Sequence, residues 1–339
     1  MNGEFDNSGV QQEVNLTGEQ DGMNHPYPGT GSRIPVWLTE HNILTQLARM
    51  GRRGFVLPVE ILIFFAVFII AQILPAMFIG VFASMILAIG GGLESIEELN
   101  TLLEEGPAYV LINLAVCIMA ILICFVFCLA IQRRPVQSMG FRGRDFILQY
   151  VKGLFVGFVL FGAVIVIGMV TGAFRYVGVV DFAPTTLLFY AIFFLIQGMQ
   201  EEVLCRGYFM VSISRRSAQW VAVVVNAVVF AALHLLNPGI NVLSVINLIL
   251  FGVFASLYML RTGNIWGVGA IHSIWNFAQG NLFGLPVSGL FTDDATLFDF
   301  EQTGSALLNG GAFGPEGGLI VTVVYVVGIL IVLFFDKRR

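Results

Sequence analysis

The chain has 339 residues, of which 57% are hydrophobic and only 12% are charged, and its formal net charge is −5. Soluble domains carry about 25% charged residues, so this sequence lacks the polar surface that a water-soluble enzyme of its size needs. No heptad or Gly-X-Y period runs through it, and the acidic balance offers no basic surface for nucleic acid. The composition predicts an all-α polytopic protein whose partner is the lipid bilayer.

The first 54 residues differ from the apolar remainder. Residues 1–35 are rich in Gly, Asn, Gln and acidic side chains, which predicts a disordered tail. No basic-then-apolar start is present, so we do not expect a signal peptide. Residues 36–54 place apolar side chains at near-helical spacing beside Arg49, Arg52 and Arg53. This pattern predicts an amphipathic juxtamembrane segment, either a short helix on the membrane surface or a plain linker.

About eight apolar stretches follow, each long enough to cross about 30 Å of hydrocarbon at about 1.5 Å per residue. They lie near residues 57–90, 108–131, 149–171, 184–213, 218–237, 241–260, 264–283 and 318–335. The first is too long for one straight crossing, so we expect a kink at Pro75 or a re-entrant pair. Two N-terminal helices (55–131) precede a core (132–285) that holds helices four to seven. An acidic loop and the last helix follow (286–339).

Basic residues predict the orientation of the chain. With eight spans and a cytoplasmic N-terminus, fourteen basic residues fall on one side. They are Arg49, Arg52, Arg53, Arg133, Arg134, Arg142, Arg144, Lys152, Arg215, Arg216, Arg261, Lys337, Arg338 and Arg339. The opposite loops are acidic, with Arg175 as their only basic residue. Both termini are therefore predicted to be cytoplasmic, in a multi-pass protein of the cell membrane.

Polar side chains inside three predicted spans are the candidate functional residues. They are Glu201, Glu202, Arg206, His234, His272 and Asn276. An ionised side chain near the bilayer centre costs about 3 kcal/mol on insertion scales unless it is paired or faces water. The i,i+4 spacing lets Glu202 pair with Arg206, while Glu201 points about 100° away. The same spacing lets His272 and Asn276 converge.

A carboxylate, two histidines and an asparagine supply the parts that amide hydrolysis needs. A desolvated Glu201 can accept a proton from water, a histidine can assist the transfer, and Asn276 with the second histidine can stabilise an oxyanion. No serine or cysteine has an obvious base partner, so we do not expect covalent catalysis. Two histidines and a glutamate are also a plausible zinc set. Without an HExxH motif, zinc is the alternative, and we expect no metal or other cofactor.

Three motifs in order resemble those of the CAAX prenyl protease and bacteriocin-processing family, also called the CPBP or Abi family. The segment from Glu201 to Arg206 is similar to its EExxxR motif, Phe230 to His234 to its FxxxH motif, and His272 to Asn276 to its HxxxN motif. The stretch from Arg134 to Phe141 resembles the segment that often precedes the core in bacterial members. The resemblance covers about residues 130–285.

The resemblance implies a metal-independent glutamic intramembrane protease. The family includes the endopeptidase that removes the last three residues of prenylated CAAX proteins. By motif position, Glu201 would activate water with His234 as its partner, and His272 and Asn276 would form the oxyanion site. The supporting residues would be Glu202, Arg206 and Phe230. The implied substrate is a membrane-associated or lipid-anchored protein or peptide, and no prenyl group is identified.

Two other functions stay open from the sequence. Intramembrane Glu and His residues also relay protons in transporters, although the internal repeat common in carriers is not visible here. A non-catalytic membrane scaffold or immunity protein is the other alternative. The sequence predicts no oligomeric state.

Overall fold

The computed structural model describes residues 35–88, 106–143, 145–181, 183–290 and 296–334. The predicted tail up to residue 34, the acidic stretch 89–105 and the C-terminal Lys-Arg-Arg lie outside these residues. The helices, in chain order, are α1 (Ile43–Arg49), α2 (Leu57–Ala88), α3 (Gly106–Val126), α4 (Phe146–Thr171), α5 (Pro184–Glu202), α6 (Val211–Ser214), α7 (Gln219–Leu233), α8 (Val242–Thr262), α9 (Ile265–Phe277), α10 (Ala306–Asn309) and α11 (Leu319–Phe334). Segments of π-helix follow α3, α5 and α9, at Phe127–Ile131, Val203–Met210 and Ala278–Leu282.

Five helical segments of the described chain are long and apolar enough to cross a membrane, by length and composition. They are α2, α3 with its π-helical end, α4, the segment from Pro184 to Ser214, and α8. The apolar helices α7 and α11 are shorter, with 15 and 16 residues. The helical, multi-pass architecture is therefore confirmed in outline, while the number of eight spans stays a prediction. The first span is one continuous helix through Pro75 and not a re-entrant pair over the described residues.

The juxtamembrane segment packs against the protein. Asn42 caps α1 by accepting a hydrogen bond from Leu44 N, and its amide donates to Leu260 O at the end of α8. Leu44 and Ala48, on one face of α1, are fully buried. The short helix predicted here is present, but its apolar face contacts other helices. The position of this helix at the membrane surface stays a prediction.

Loops that carry basic residues meet at one end of the helices. Arg215 Nη2 pairs with Glu60 Oε1 at 2.8 Å, and both side chains are buried. Arg215 Nη1 donates to Arg52 O, and Arg52 N donates to Gln132 O. These contacts tie three of the predicted cytoplasmic loops together. Their shared end agrees with the charge pattern, while the side of the membrane that it faces stays a prediction.

A two-stranded antiparallel sheet interrupts the otherwise helical fold of the described residues. β1 (Phe174–Val179) pairs with β2 (Phe298–Gln302), and an exposed ion pair joins Arg175 to Glu301. The all-α prediction did not include these strands. Because β1 begins just after α4 ends, the sheet lies at the end of α4 away from the basic loops.

Close helix contacts hold the predicted core together. A Cβ atom at Gly153 of α4 would lie 2.2 Å from Gly267 O of α9, and one at Gly198 of α5 would lie 2.5 Å from Ser273 N of α9. Glycine at these two crossings lets the backbones approach closely. The helix α9 therefore lies against both α4 and α5, and α7 packs on α8. This arrangement brings the polar parts of α5, α7 and α9 to one place.

Candidate active site

One cavity of about 180 Å³ collects the polar motif residues. α5 contributes Glu201, His234 directly follows α7, and α9 contributes His272 and Asn276. Seven of the other fifteen residues that line the cavity are aromatic. These aromatic side chains are Tyr190, Phe193, Phe194, Phe230, Phe251, Trp275 and Tyr325. An apolar chamber with a few convergent polar groups is typical of a ligand or catalytic site.

Glu201 faces both histidines across a short gap. Its Oε2 lies 4.0 Å from His234 Nε2 and 3.8 Å from His272 Nε2. These separations are too long for direct hydrogen bonds, and a water molecule between the groups would bridge them. The other oxygen, Oε1, accepts a hydrogen bond from Gln197 Nε2, and Gln197 Oε1 accepts one from Asn276 Nδ2 at 3.0 Å. Gln197 thus links Glu201 to Asn276. The sequence reasoning missed it, although it precedes Glu201 by one helical turn.

Glu202 points into the protein and holds one histidine. Its Oε1 accepts a hydrogen bond from Arg206 Nη1 at 2.8 Å and contacts His272 Nδ1 at 2.8 Å. Both Glu202 and Arg206 are fully buried. The Arg206 guanidinium lies 4.3 Å from the ring centre of Phe230, a cation–π contact that helps to stabilise a buried cation. The pairing of Glu202 with Arg206 follows from their spacing, while the contact with His272 does not.

The hydrogen bonds at Nδ1 assign the protons of both rings. The acceptor at His234 Nδ1 is the carbonyl of Phe230 at 2.9 Å, and the acceptor at His272 Nδ1 is the Glu202 carboxylate. Each Nδ1 is therefore the donor, so a neutral ring presents the lone pair of Nε2 to Glu201. A further proton on His272, which lies between the carboxylates of Glu201 and Glu202, would make its Nε2 a donor as well.

The chain after the two glutamates is π-helical. The segment Val203–Met210 follows α5 directly, whereas the sequence predicts an uninterrupted α-helix. Arg134 Nη2 donates to Gly207 O and Tyr208 O, at 3.0 and 3.2 Å. Arg134 thereby binds carbonyl groups within the irregular turn, where the regular helical pattern is lost. This contact gives a physical reason for a buried arginine in the segment that precedes the core.

Other chemistries find less support in this site. No group of three or more His, Cys, Asp or Glu side chains in the described part of the chain has a geometry that would hold a metal ion. We therefore derive no step through zinc. The four cysteines are buried and free, and Ser273 Oγ donates to Leu195 O. Among the described residues, no cysteine is hydrogen-bonded to a carboxylate or a histidine, and neither is Ser273.

A further wall of the cavity comes from beyond the motifs. Glu316 Oε2 accepts hydrogen bonds from Ser288 N at 2.6 Å, Ser288 Oγ at 2.9 Å and Gln279 Nε2 at 3.3 Å. Burial raises the pKa of the Glu316 carboxyl above its ordinary value. Asn237 Nδ2 donates to Ser288 O and ties this wall to the end of α7. The sequence placed Glu316 in an acidic loop without chemistry, and no local spacing connects it to the motifs.

One protein family matches part of the chain. Residues 183–278 match the family described as type II CAAX prenyl endopeptidase Rce1-like. The matched segment runs from the start of α5 to the end of α9 and contains all three motifs. No curated protein and no solved structure matches the chain. The match of residues 183–278 to the Rce1-like family of type II CAAX prenyl endopeptidases agrees with the family that the three motifs resemble.

Proposed function

We propose that this protein is an intramembrane endopeptidase in which Glu201 activates water to hydrolyse a peptide bond. The substrate is a membrane-associated or lipid-anchored protein or peptide. One observation carries the proposal: Glu201 Oε2 lies within 4.0 Å of Nε2 of both His234 and His272, inside an aromatic cavity. The similarity of residues 183–278 to a family of proteases supports the same chemistry.

The proposed reaction begins with a water between Glu201 and His234. Glu201 takes one proton, and the hydroxide attacks the scissile carbonyl carbon. The carbonyl oxygen becomes an oxyanion that accepts hydrogen bonds from protonated His272 Nε2 and from Asn276 Nδ2. When the tetrahedral intermediate collapses, the C–N bond breaks and Glu201 returns its proton to the leaving amine. Glu201 ends in its starting state, and the water has been divided between the two products.

The supporting residues hold this geometry. Glu202 keeps His272 in one orientation, with Nε2 directed toward the reacting atoms. Arg206 balances the charge of Glu202, and Phe230 contributes both its ring to Arg206 and its carbonyl to His234. We expect substitution of Glu202, Arg206 or Phe230 to lower the rate of cleavage by displacing His234 and His272.

Peptide hydrolysis by purified protein in detergent tests the proposal. Prenylated CAAX peptides and unmodified transmembrane peptides are incubated with wild type, Glu201→Gln, His234→Ala and the control Glu301→Gln, which changes an exposed carboxylate of the sheet. We expect each site variant to lose about 10²- to 10⁴-fold in rate, the usual range for a general acid–base group, while the control stays active. Cleavage within about tenfold of wild type in well-folded Glu201→Gln would refute the mechanism.

The same variants separate the alternative functions. A scaffold or immunity protein should keep its biological activity in Glu201→Ala, whereas a protease should lose it. We also propose that the protein lies in the cell membrane with both termini cytoplasmic. Reporter fusions at the two termini and in the loop after β2 test that orientation, since the loop should report the opposite side from the termini.

A further inference from the structure

Gln197 joins the proposed base on α5 to the proposed oxyanion donor on α9. Its Nε2 donates to Glu201 Oε1, and its Oε1 accepts a hydrogen bond from Asn276 Nδ2 at 3.0 Å. All three side chains line the cavity. Because Glu201 Oε1 is occupied in this way, Oε2 is the oxygen that faces the two histidines. Gln197 precedes the first motif by one helical turn, so none of the three motifs assigns it a role.

The charge of Glu201 decides which way the Gln197 amide points. An ionised carboxylate can only accept hydrogen bonds, so the Gln197 atom beside it must be the donor Nε2. The Gln197 carbonyl then faces Asn276, and this acceptor requires the donor Nδ2 of Asn276 opposite it. Reversal of one amide, or of both, would place at least one pair of like groups against each other, which is costly in a largely buried site. One charged group therefore fixes two amide orientations.

The orientation of the Asn276 amide matters for the proposed reaction. Its Nδ2 carries two hydrogens, and Gln197 accepts one of them. The second stays available to an oxyanion, whereas the reversed amide would offer Oδ1, an acceptor that repels negative charge. Gln197 thus keeps Asn276 ready to donate before a substrate binds.

Neighbouring contacts hold Gln197 and Asn276 at this separation. Ser273 Oγ donates to Leu195 O at 3.1 Å, and a Cβ atom at Gly198 would lie 2.5 Å from Ser273 N. The helices α5 and α9 are therefore in direct contact beside Gln197, and Asn276 lies one turn after Ser273 on α9. A link between two helices that are already fixed orients its side chains with little further loss of conformational freedom.

We propose that Gln197 is a positioning residue that couples the ionised Glu201 carboxylate to the Asn276 amide, so that the general base and the oxyanion donor are oriented together. In this role Gln197 acts through Glu201 and Asn276 and not by contact with the reacting atoms. Loss of the coupling should weaken interactions that form in the transition state and leave peptide binding nearly unchanged. This inference rests on the proposed function and adds to it a residue that the motifs do not contain.

Steady-state kinetics with a peptide that wild type cleaves test the coupling. Gln197→Met keeps the length of the side chain but removes its amide donor and acceptor. We expect it to lower kcat about ten- to a hundredfold, as for a misdirected donor in a buried site, while KM stays within about twofold. The control Gln46→Met changes an exposed glutamine of α1 and should keep the wild-type values.

Gln197→Glu separates the coupling from packing. A protonated carboxyl can both donate and accept, as the amide does, whereas an ionised one can only accept. The kcat of this variant is compared with that of wild type from about pH 5 to about pH 8. Titration of His234 and His272 is common to both proteins. The ratio of variant to wild type should rise at least about fivefold as the pH falls, whereas the ratio for Gln197→Met should stay constant.

A double-mutant cycle with Asn276→Ala measures the coupling between the two amides. If Gln197 acts through Asn276, the second substitution removes a group that the first has already misdirected. The double variant should therefore be at least about fivefold faster than the product of the two single effects predicts. Independent effects would multiply.

Each outcome has a defined meaning. The coupling is overturned, and the protease remains, if folded Gln197→Met keeps kcat within about threefold of wild type or loses kcat/KM only through KM. It is also overturned if the two effects multiply, or if the ratio for Gln197→Glu does not rise as the pH falls. The last comparison decides the proposal if Gln197→Met fails to fold. If wild type cleaves no peptide, the proposed function fails and the coupling fails with it.

Discussion

The buried ion pair between Glu202 and Arg206 offers a quantitative test of the site. Both side chains are fully buried, and Glu202 Oε1 also contacts His272 Nδ1. Replacing Arg206 by methionine keeps much of the apolar volume but leaves the charge of Glu202 without its cation. Removal of one partner from a buried pair costs about 3–5 kcal/mol. The contact with Phe230 would be lost as well.

That free energy corresponds to a lower melting temperature by about 6–20 °C, at about 2–4 °C per kcal/mol. Thermal unfolding in one detergent is measured for wild type, Arg206→Met and the double variant Glu202→Gln/Arg206→Met. The double variant should melt above Arg206→Met, because the unpaired charge is no longer present. The exposed pair offers a matched control, and Arg175→Met should shift the melting temperature by about 2 °C or less.

Two results would contradict this reasoning. One is an Arg206→Met variant that melts within about 2 °C of wild type, as the exposed control should. The other is a double variant that melts below Arg206→Met, since the removal of both charges would then add damage. Either result would mean that the pair does not carry the charge balance of the site.

Three other perturbations have defined outcomes. Gly198→Ala places a Cβ 2.5 Å from Ser273 N and should lower the rate of cleavage about tenfold or more, because it shifts Glu201. The control Gly162→Ala has open space around its Cβ and should keep the wild-type rate. Equal cleavage rates in the two variants would contradict the argument that Gly198 is needed for the contact between α5 and α9. Because burial raises the pKa of Glu316, the contribution of this group to the stability of the native state is present in full at low pH and is lost as pH rises through the raised pKa. Glu316→Gln should therefore gain thermal stability relative to wild type between about pH 5 and about pH 8, so that its melting temperature rises relative to that of wild type. A difference between the two melting temperatures that stays constant over this range would contradict the prediction. A zinc chelator should leave cleavage within about twofold, and a loss that zinc restores would favour the zinc alternative.

Local sequence spacing predicted much of the candidate site. The pairing of Glu202 with Arg206 depends only on their positions one turn apart, which hydropathy and periodicity reveal. Hydropathy also predicted the bounds of a helix to within about three residues. The third span was expected at 149–171, and α4 is Phe146–Thr171. A lipid environment requires long apolar helices, so the broad architecture follows from composition.

Contacts between distant parts of the chain were not predictable in this way. Glu316 reaches Ser288 across 28 residues, and Arg134 reaches Gly207 across 73. The strands β1 and β2 are short and pair across 126 residues at Arg175 and Glu301, so a single sequence gives no local pattern for them. The π-helical turn after Glu202 was missed because its hydropathy pattern matches that of an α-helix. Tertiary contacts decide each of these features.

Part of the cavity wall comes from the chain after residue 278. The matched family segment ends there, yet Ser288, Glu316 and Tyr325 complete the cavity from the following part of the chain. The hydrolytic groups and this part of the wall are thus encoded in adjacent, non-overlapping stretches of the gene. A chimera that replaces residues 286–325 with those of another Rce1-like protein should keep the reaction and acquire the donor's choice of peptide.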